Sequence, residues 1–470
     1  MTREEGPAEP PAPRERPPGM ADAGTPPEAP GRGAVGKWAL AARRFASPRR
    51  LRRTARWLAE GVGAIRRRRA TRGLTVAVDV NSFYEPLTGV GWYLHQLLTH
   101  LADVPGLRLR LYGQSLVEGD PGAPVPVVVL PAGPAIERVT WDAPDGLVVP
   151  PWRARQLLRR LAPLLVAADG NRVLFAPNFI PPRLFRFARG ARVATVHDLT
   201  LQRLPEAARP DTATALLAGL ERTLLTAGML ITPSEAVRQE LLTRGVAAGR
   251  VRAVHHGPGQ LAALTPGELP AGTPPAYVLY VGTLEPRKNL PMLLAAWRLL
   301  RRRLPGAPPL LLCGRWGWHG EELQPAVAAG TAEGWLVHLG YVPAPQLAAL
   351  YRGALLLVLP SLYEGFGLPV VEAFAAGIPA LLSDLPVLRE VAGEAALFAP
   401  AGDPEAWAAA LARLLGDATL RRELAARGNA RAAAFDWRRA AAATAAVWSA
   451  AAAREGREAA DILRAEAPTS

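Results

Sequence analysis

Two long stretches of the sequence alternate short apolar runs of strand length with segments of helical periodicity. The first series begins at Leu74–Val80 and the second at Tyr277–Val281. Strands that alternate with helices in this way predict a parallel, doubly wound sheet in each stretch. The stretch between them, Gly257–Pro275, is rich in proline and glycine and lacks an apolar period, which is typical of an interdomain linker.

The expected fold is therefore α/β, with two Rossmann-like domains that face each other across a cleft. Open α/β sheets bind ligands in the crevice outside the carboxyl ends of their strands, so the cleft is the expected site. Apolar residues make up 49% of the chain and charged residues 20%, which excludes global disorder. We divide the 470 residues into a Pro-rich disordered tail, a basic amphipathic segment, a first domain, a linker, a second domain, and a terminal helix with a tail: 1–30, 31–72, 73–258, 259–275, 276–434 and 435–470.

The net charge of +14 is concentrated in Gly31–Arg72, where arginines are frequent and Glu60 is the only acid. Apolar residues from Leu51 to Ile65 recur there at helical spacing, which is typical of a helix on an anionic membrane surface. The alternatives are a solvated basic linker or a start codon placed too far upstream. The rest of the chain is only mildly basic, so nucleic acid is not an expected partner. The absence of a visible secretory signal or membrane-spanning run favours a cytoplasmic protein, peripheral on the inner face of the plasma membrane.

The run Pro360–Glu372 (PSLYEGFGLPVVE) follows a buried strand and leads into a helix. Gly365 and Gly367 permit the backbone to approach a ligand closely, and the start of a helix favours an anion. Glu364 and Glu372 lie eight residues apart across the bend, so each carboxylate can accept hydrogen bonds from hydroxyls of one ligand. This combination suggests a sugar nucleotide, and the alternative is a Gly-rich turn with two solvated glutamates.

The run Tyr277–Asn289 ends its strand in Gly282 and continues into a loop with two adjacent cations, Arg287 and Lys288. Adjacent cations on one loop could clamp a diphosphate and stabilise it as a leaving group. Lys288 is one of only two lysines among 55 basic residues, the other being Lys37. Because arginine is used almost everywhere else, a retained lysine indicates a place where a compact ammonium is needed.

Together these two runs resemble the donor-binding half of retaining glycosyltransferases of family 4, which have the two-domain GT-B fold. That family has two glutamates at this spacing and an Arg/Lys pair after the first strand of its second domain. Further segments resemble family motifs in the same order, within a resemblance that runs from about residue 74 to about residue 453: Thr88–Tyr93, Thr195–Leu199, Thr232–Glu235 with Val254–Gly257, and Phe435–Trp437. The last segment implies a C-terminal helix that crosses back to the first domain. Asn81–Pro86 does not match the family's acceptor loop, so the resemblance leaves the acceptor open.

The resemblance implies a role for each matching residue. Arg287 and Lys288 would hold the donor diphosphate. Glu372 would bind the ribose hydroxyls and Glu364 the transferred sugar. His197 would face the donor sugar at the reaction centre, where His197 and Glu364 are the implied catalytic residues; for His197 alone, a satisfied core histidine is the alternative. The other implied donor-binding residues lie in turns and helix starts: Gly91, Gly282, Gly365, Phe366, Gly367 and Leu368.

The resemblance also implies the chemistry. A hexose, mannose-like by family frequency, would move with retention of configuration from a nucleotide-diphosphate sugar to a glycan or lipid-linked saccharide. No cofactor is expected besides this co-substrate. The chain has no Asp-x-Asp sequence and no His and carboxylate cluster with metal-ligand spacing, and its single cysteine excludes a multi-cysteine site. We therefore expect metal-independent transfer, with Arg287 and Lys288 neutralising the departing diphosphate.

Two other function classes stay open on the sequence. A two-Rossmann nucleotide-sugar epimerase would share the fold and the donor pocket. A non-enzymatic basic protein that binds membranes or nucleic acid would use both domains as a scaffold, although the charge is confined to Gly31–Arg72. A dehydrogenase is a weaker interpretation, because no Gly-x-Gly-x-x-Gly sequence follows either first strand.

Overall fold

The computed structural model describes residues 47–70, 72–84, 89–113, 117–118, 131–142, 151–180, 182–205, 210–259, 265–317 and 319–465. Several predictions fall outside these residues: the disordered tail at 1–30, the basic residues 31–46, Thr88, the end of the unmatched loop at 85–86, and residues 260–264 of the linker. Within the described ranges, no helix is both long and apolar enough to cross a bilayer.

The first domain is built on a parallel seven-stranded sheet. Its strands are mostly buried on both faces, and this is why they read as continuous apolar runs rather than as alternating patterns. The strands of this half are β1 (Leu74–Asp79), β2 (Leu107–Tyr112), β3 (Val117–Glu118), β4 (Ile136–Arg138), β5 (Trp141–Asp142), β6 (Val173–Ala176), β7 (Ala191–Thr195), β8 (Met229–Thr232) and β9 (Val251–Ala253). Strands β3 and β5 pair with each other, and the other seven have the order β4-β2-β1-β6-β7-β8-β9.

The second domain has a parallel six-stranded sheet in the order β12-β11-β10-β13-β14-β15. Its strands are β10 (Val278–Val281), β11 (Leu310–Cys313), β12 (Leu336–Gly340), β13 (Leu356–Leu359), β14 (Ala380–Ser383) and β15 (Ala396–Ala399). Side chains alternate between two apolar clusters, so that Leu279 packs with Phe374 on one face, and Val278 and Tyr280 pack with Trp297 on the other. The strand order reverses between β10 and β13, which is where doubly wound sheets bind ligands.

Helices cover the sheets and confirm the predicted α/β fold of two Rossmann-like domains. They are α1 (Pro48–Arg69), α2 (Gly89–Leu101), α3 (Pro151–Ala168), α4 (Thr200–Arg203), α5 (Pro210–Thr226), α6 (Glu235–Thr243), α7 (Leu290–Arg303), α8 (Gln324–Ala332), α9 (Ala344–Gly353), α10 (Leu368–Ala375), α11 (Pro386–Ala392), α12 (Pro404–Gly416), α13 (Ala418–Ala432) and α14 (Trp437–Ala465).

The predicted crossing helix is α14, which follows the second domain and packs on the sheet of the first. Trp448 is fully buried there, with its ring centroid 4.9 Å from that of Phe175 in β6. Trp437 begins the helix and donates from its indole N–H to the carbonyl of Pro258 at 2.7 Å. Helix α14 therefore completes the core of the first domain and also contacts the segment that leaves it.

Helix α1 carries the basic segment and contacts the first domain through Trp57, which packs against the cluster that contains Leu158, and through Arg68 near its C-terminal end. Leu51, Leu58 and Val62 are each about half exposed, at 51%, 56% and 49%. Arg68, in contrast, lies 3.1 Å from the fully buried carboxylate of Asp169 in the first domain. The helix therefore presents an apolar row among arginines from a fixed attachment point.

Candidate active site

Two loops of the second domain meet where the strand order reverses. One follows β13 over residues 360–367, and the other follows β10 over residues 282–289. Asn289 joins them, because its side-chain amide donates to the carbonyl of Pro360 at 3.1 Å. Leu362 also donates its N–H to the carbonyl of Arg287 at 2.8 Å. The two sequence motifs thus form one platform at the cleft.

A buried ion cluster lies on this platform. Lys288 Nζ is 2.6 Å from Glu364 Oε1, and Arg287 Nη1 is 3.0 Å from Glu364 Oε2. Ser361 donates from its hydroxyl to the same Oε1 at 2.7 Å. Burial alone would raise the pKa of Glu364, but the two cations and the hydrogen bonds lower it to about 2. The carboxylate is therefore ionised at neutral pH. Three side chains that the sequence assigned to different parts of a donor contact one another.

Gly365 brings this platform against the first domain. A Cβ at this position would lie 2.0 Å from the carbonyl oxygen of His197, so only glycine permits the approach. The Gly365 carbonyl accepts a 2.7 Å hydrogen bond from the hydroxyl of Ser234, just ahead of α6. Gly367 then turns the chain into α10 with a φ of 95°, and Pro369 lies in the first turn of that helix. Both domains therefore border this loop.

His197 lies just past the carboxyl end of β7, with its Nε2 2.8 Å from the carbonyl oxygen of Pro177. Burial lowers the pKa of His197, and its hydrogen bond to Pro177 and the charge of Asp198 only partly oppose this effect. The ring is therefore neutral at pH 7. A neutral ring that donates from Nε2 keeps Nδ1 as an acceptor. One nitrogen is satisfied as in a core histidine, and the other has the chemistry to accept a hydroxyl proton.

The adjacent histidines His255 and His256, which the sequence does not distinguish, have different surroundings. His255 is exposed and its Nε2 lies 2.7 Å from Glu390 Oε1. His256 is buried and stacks on Trp437 at a ring-centroid distance of 5.5 Å. Neither nitrogen of His256 has a hydrogen-bond partner among the residues that the structure describes. Burial lowers the pKa of His256 well below 6.5, so this ring is neutral as well.

Glu372 forms part of the wall of a cavity of about 380 Å³ between the two domains. The hydroxyl of Tyr351 donates to Glu372 Oε2 at 2.8 Å. Gly259 of the linker lies beside the other carboxylate oxygen, so closely that a Cβ at this position would be 1.9 Å from Oε1. Burial raises the pKa of Glu372 to about 7, although the bond from Tyr351 opposes the rise. Glu372 therefore titrates near neutral pH, unlike Glu364.

The cavity connects most of the predicted donor residues. Gly282 and Leu368 line it together with Glu372, whereas Gly91 is buried in the first turn of α2 between lining residues. A Cβ on Gly282 would lie 3.7 Å from Lys288 Cε, so the lysine stem runs along the cavity edge. Phe366 is buried against the ring of His256, at a centroid distance of 5.0 Å, rather than in the cavity.

Sequence reasoning missed three residues of this site. Ser361 stands within the motif run and was overlooked, although a hydroxyl three residues before Glu364 was a visible signal. Tyr351 and Gly259 carry no local signal, because each meets Glu372 only through the fold. In the described part of the chain, no group of three or more His, Cys, Asp or Glu side chains is placed to hold a metal ion.

Two family models match the chain, one for each half. The model "Glycosyltransferase Family 4" matches residues 87–258, and "Glycosyl transferases group 1" matches residues 265–431. The O-antigen chain mannosyltransferase B of Escherichia coli is 32% identical over 348 residues, which cover 68% of this chain and 84% of that protein.

Solved structures share the fold. Sucrose-phosphate synthase from Thermosynechococcus elongatus aligns with a TM-score of 0.57 and 24% identity, covering 84% of this chain and 100% of that one. The Anabaena protein HepE, in complex with UDP and glucose, aligns with a TM-score of 0.58 and 16% identity, covering 80% and 99%. These likenesses confirm the predicted fold, and the sequence relatives confirm the predicted enzyme class. The chain belongs to glycosyltransferase family 4 and is a glycosyltransferase with the GT-B fold.

Proposed function

We propose that this enzyme binds a nucleoside diphosphate sugar in the cleft and transfers a hexose, mannose or a close relative of it, with retention of configuration and without a metal ion. The observation that carries the proposal is the buried cluster of Lys288, Arg287 and Glu364 beside the cavity walled by Glu372. The mannosyltransferase name of the Escherichia coli relative supports mannose. The UDP and glucose bound by HepE support a nucleotide donor.

The two cations supply the charge that a leaving diphosphate needs. Lysine has three N–H donors, so Lys288 can bind phosphate oxygens while it keeps its bond to Glu364. Arg287 uses most of its five donors on Glu364, Glu285 and the carbonyl of Tyr363, and it contributes mainly a fixed positive charge. Fixed cations in a site that excludes water stabilise developing negative charge strongly. Glu364 then holds both cations in place and accepts a hydrogen bond from a hydroxyl of the transferred sugar. His197 and the backbone N–H groups of residues 365–367 border that sugar.

Retention requires the acceptor to attack the same face of the sugar from which the diphosphate leaves. In this proposal the acceptor oxygen forms the new bond as the bond to the phosphate oxygen breaks. The acceptor proton passes to the departing phosphate, which Lys288 and Arg287 stabilise. The anomeric configuration of the product, measured by NMR spectroscopy, tests this step, and an inverted product would contradict it.

A thermal-shift screen against UDP-, GDP- and ADP-sugars, each with and without EDTA, tests the donor site. A nucleotide at ~100 times its Kd adds roughly 2.7 kcal/mol to the free energy of unfolding. We expect one nucleotide family to give this shift, and turnover to persist in EDTA. No shift with any nucleotide would contradict the donor site, and loss of turnover in EDTA would contradict metal independence. Sugar interconversion without an acceptor would indicate an epimerase.

Nucleotide affinity is expected to rise as the pH increases from 6 to 8. Glu372 has a pKa raised to about 7, and its ionised form is the better acceptor for ribose hydroxyls. The free energy of unfolding has the opposite pH dependence. A carboxyl group whose pKa is raised in the folded state stabilises the fold at low pH, and this contribution is lost as the pH rises through about 7. Glu372→Gln should therefore flatten both pH profiles and weaken nucleotide binding.

Calorimetric titration with the nucleotide from the screen and with its 2′,3′-dideoxy analogue identifies the contact. The parent should prefer the ribose form, and Glu372→Gln should lose that preference. The exposed Glu423→Gln on α13 is the control and should behave like the parent. An equal preference for ribose in the parent and in Glu372→Gln would show that Glu372 binds another part of the ligand.

We also propose a glycan or lipid-linked saccharide as the acceptor, reached at an anionic membrane surface through α1. Its apolar row, Leu51, Leu58 and Val62, is half exposed and lies among arginines, which suits such a surface. Removing the whole segment would leave Asp169 buried without Arg68, so substitutions test the idea better than a deletion.

The triple change of Leu51, Leu58 and Val62 to serine is expected to weaken vesicle binding roughly tenfold or more, because about 0.8 kcal/mol is lost for each CH₂ that no longer inserts. Co-sedimentation with vesicles that contain the anionic lipid phosphatidylglycerol measures the effect. Leu225→Ser, at an exposed position of α5, is the control. Turnover on a soluble acceptor should not change, and equal vesicle binding by all variants would contradict the membrane role.

A further inference from the structure

One carboxylate of the second domain, that of Glu390 in α11, contacts three groups from the first domain and its exit segment. It accepts hydrogen bonds from the backbone N–H groups of Glu235 at 2.7 Å and Ala236 at 2.8 Å. Its Oε1 also lies 2.7 Å from Nε2 of His255. The first N–H groups of a helix have no partner inside that helix. Glu390 therefore gives α6 an acceptor, and a negative charge at the positive end of its dipole, from the opposite domain.

The same helix start also holds the active-site loop. Ser234 accepts a hydrogen bond from the N–H of Val237 at 3.2 Å and caps α6. Its hydroxyl donates to the Gly365 carbonyl at 2.7 Å. Gly365 directly follows Glu364 and packs against the carbonyl of His197. The start of α6 is thus bonded to α11 through Glu390 and to the glycine loop through Ser234.

We propose that Glu390 is a positioning residue that latches the two domains in the arrangement where Gly365 meets His197. It contacts neither residue and acts through the start of α6. In this way it keeps Glu364 and His197 on facing sides of the cleft. The identity of the ligand in the cleft rests on the proposed function. The latch itself consists of contacts between protein groups and does not depend on which ligand binds.

The electrostatics agree with this role. Burial alone would raise the pKa of Glu390, but the hydrogen bonds from His255, Glu235 and Ala236 hold it below its ordinary value. The latch is therefore a charged acceptor, and hydrogen bonds to ionised groups are about twice as strong as neutral ones. These bonds join the two domains and exist only while the domains are together. Without them, a smaller fraction of molecules has the domains closed.

A smaller closed fraction raises the apparent dissociation constant of any ligand that binds the closed form, in proportion. We expect Glu390→Ala to raise the donor KM roughly tenfold. The kcat at saturating donor should change by less than about threefold, because bound donor draws the domains together. Glu390→Gln keeps one acceptor oxygen but loses the charge, and should give an intermediate KM. Glu394→Ala, at an exposed position just after α11, is the matched control and should be silent.

Hydrogen–deuterium exchange gives a readout that a purely local role would not move. The N–H of Leu199 in the first domain donates to the hydroxyl of Tyr363 in the second domain at 3.0 Å, and Glu390 is not part of that bond. In Glu390→Ala, exchange of the peptide that contains Leu199 should increase, and added UDP or GDP should reverse the increase. The control should exchange like the parent.

Parental donor KM together with parental exchange at Leu199 in Glu390→Ala would overturn the latch. A lower unfolding temperature with unchanged KM and exchange would do the same, because it would show a structural role only. The exchange measurement on the nucleotide-free protein needs no donor. Failure of the latch is therefore distinguishable from failure of the proposed function, which would appear as the parent enzyme binding no nucleotide.

Discussion

Glu364→Gln is expected to lower turnover on the order of 10²- to 10³-fold, the effect typical of losing one preorganised charged contact at a reacting centre. The reason is that this carboxylate has two tasks. It holds Lys288 and Arg287 in place through contacts of 2.6 and 3.0 Å. In the proposed mechanism it also accepts a hydrogen bond from a hydroxyl of the transferred sugar. Steady-state turnover with the donor from the nucleotide screen measures the loss.

The same variant should also have a lower free energy of unfolding than the parent. Removing one partner of a buried ion pair leaves uncompensated charge and costs about 3–5 kcal/mol. A carboxyl with a lowered pKa stabilises the fold above its unfolded pKa, and the contribution is lost as the pH falls toward about 2. Glu364→Gln should therefore be less stable than the parent at pH 7. A nucleoside diphosphate should stabilise it more than it stabilises the parent, because the phosphates replace the missing charge.

The control for this variant is Glu405→Gln, which removes a carboxylate paired with Arg303 on the surface. Exposed pairs contribute little, so stability and turnover should stay at parental values. Parental turnover in Glu364→Gln would contradict the catalytic assignment. A nucleotide effect no larger than in the parent would contradict the placement of the diphosphate beside the two cations.

Lys288→Arg is expected to lower turnover ~100-fold, although the charge is conserved, because a misplacement of about 1 Å at a reacting centre costs that much. The lysine ammonium is 2.6 Å from Glu364, and its stem runs beside Gly282 at the cavity edge. Lys288 is only 7% exposed, so the planar guanidinium of arginine would have to displace Glu364 or the donor phosphates. Turnover and donor affinity should be compared for parent and variant.

The chain provides its own control in Lys37→Arg, which changes the only other lysine and should be silent. Full activity of Lys288→Arg would mean that any cation suffices at this position. The retained lysine would then be a coincidence of composition, and the proposed position of the diphosphate would lose its support.

The fold was predictable because its signals are local. Alternation of apolar runs with helical periods predicted two parallel sheets, and both are present. The terminal helix was expected from the resemblance at Phe435–Trp437, and it is present as α14.

The site was only partly predictable, because contacts between distant segments leave no local pattern. The sequence identified Lys288 and Glu364 separately, and nothing in either run indicates that the two are paired 76 residues apart. Tyr351 and Gly259 meet Glu372 for the same reason. The hydrogen bonds that the Glu390 carboxylate accepts in the described structure come from the opposite side of the cleft, so no pattern within its own helix could indicate them.

The position of α14 has a consequence for biosynthesis. The ribosome delivers every strand of the first sheet, and then the entire second domain, before it delivers the helix that buries Trp448 against β6. The sheet of the first domain therefore has an apolar face exposed until α14 is synthesised, and exposed apolar faces make nascent chains prone to aggregation. Trp437 also lines the donor cavity, so a chain that stops before α14 lacks part of that wall. The complete binding pocket therefore forms only after α14 has been synthesised, and ribosome-bound chains would remain inactive until this helix emerges.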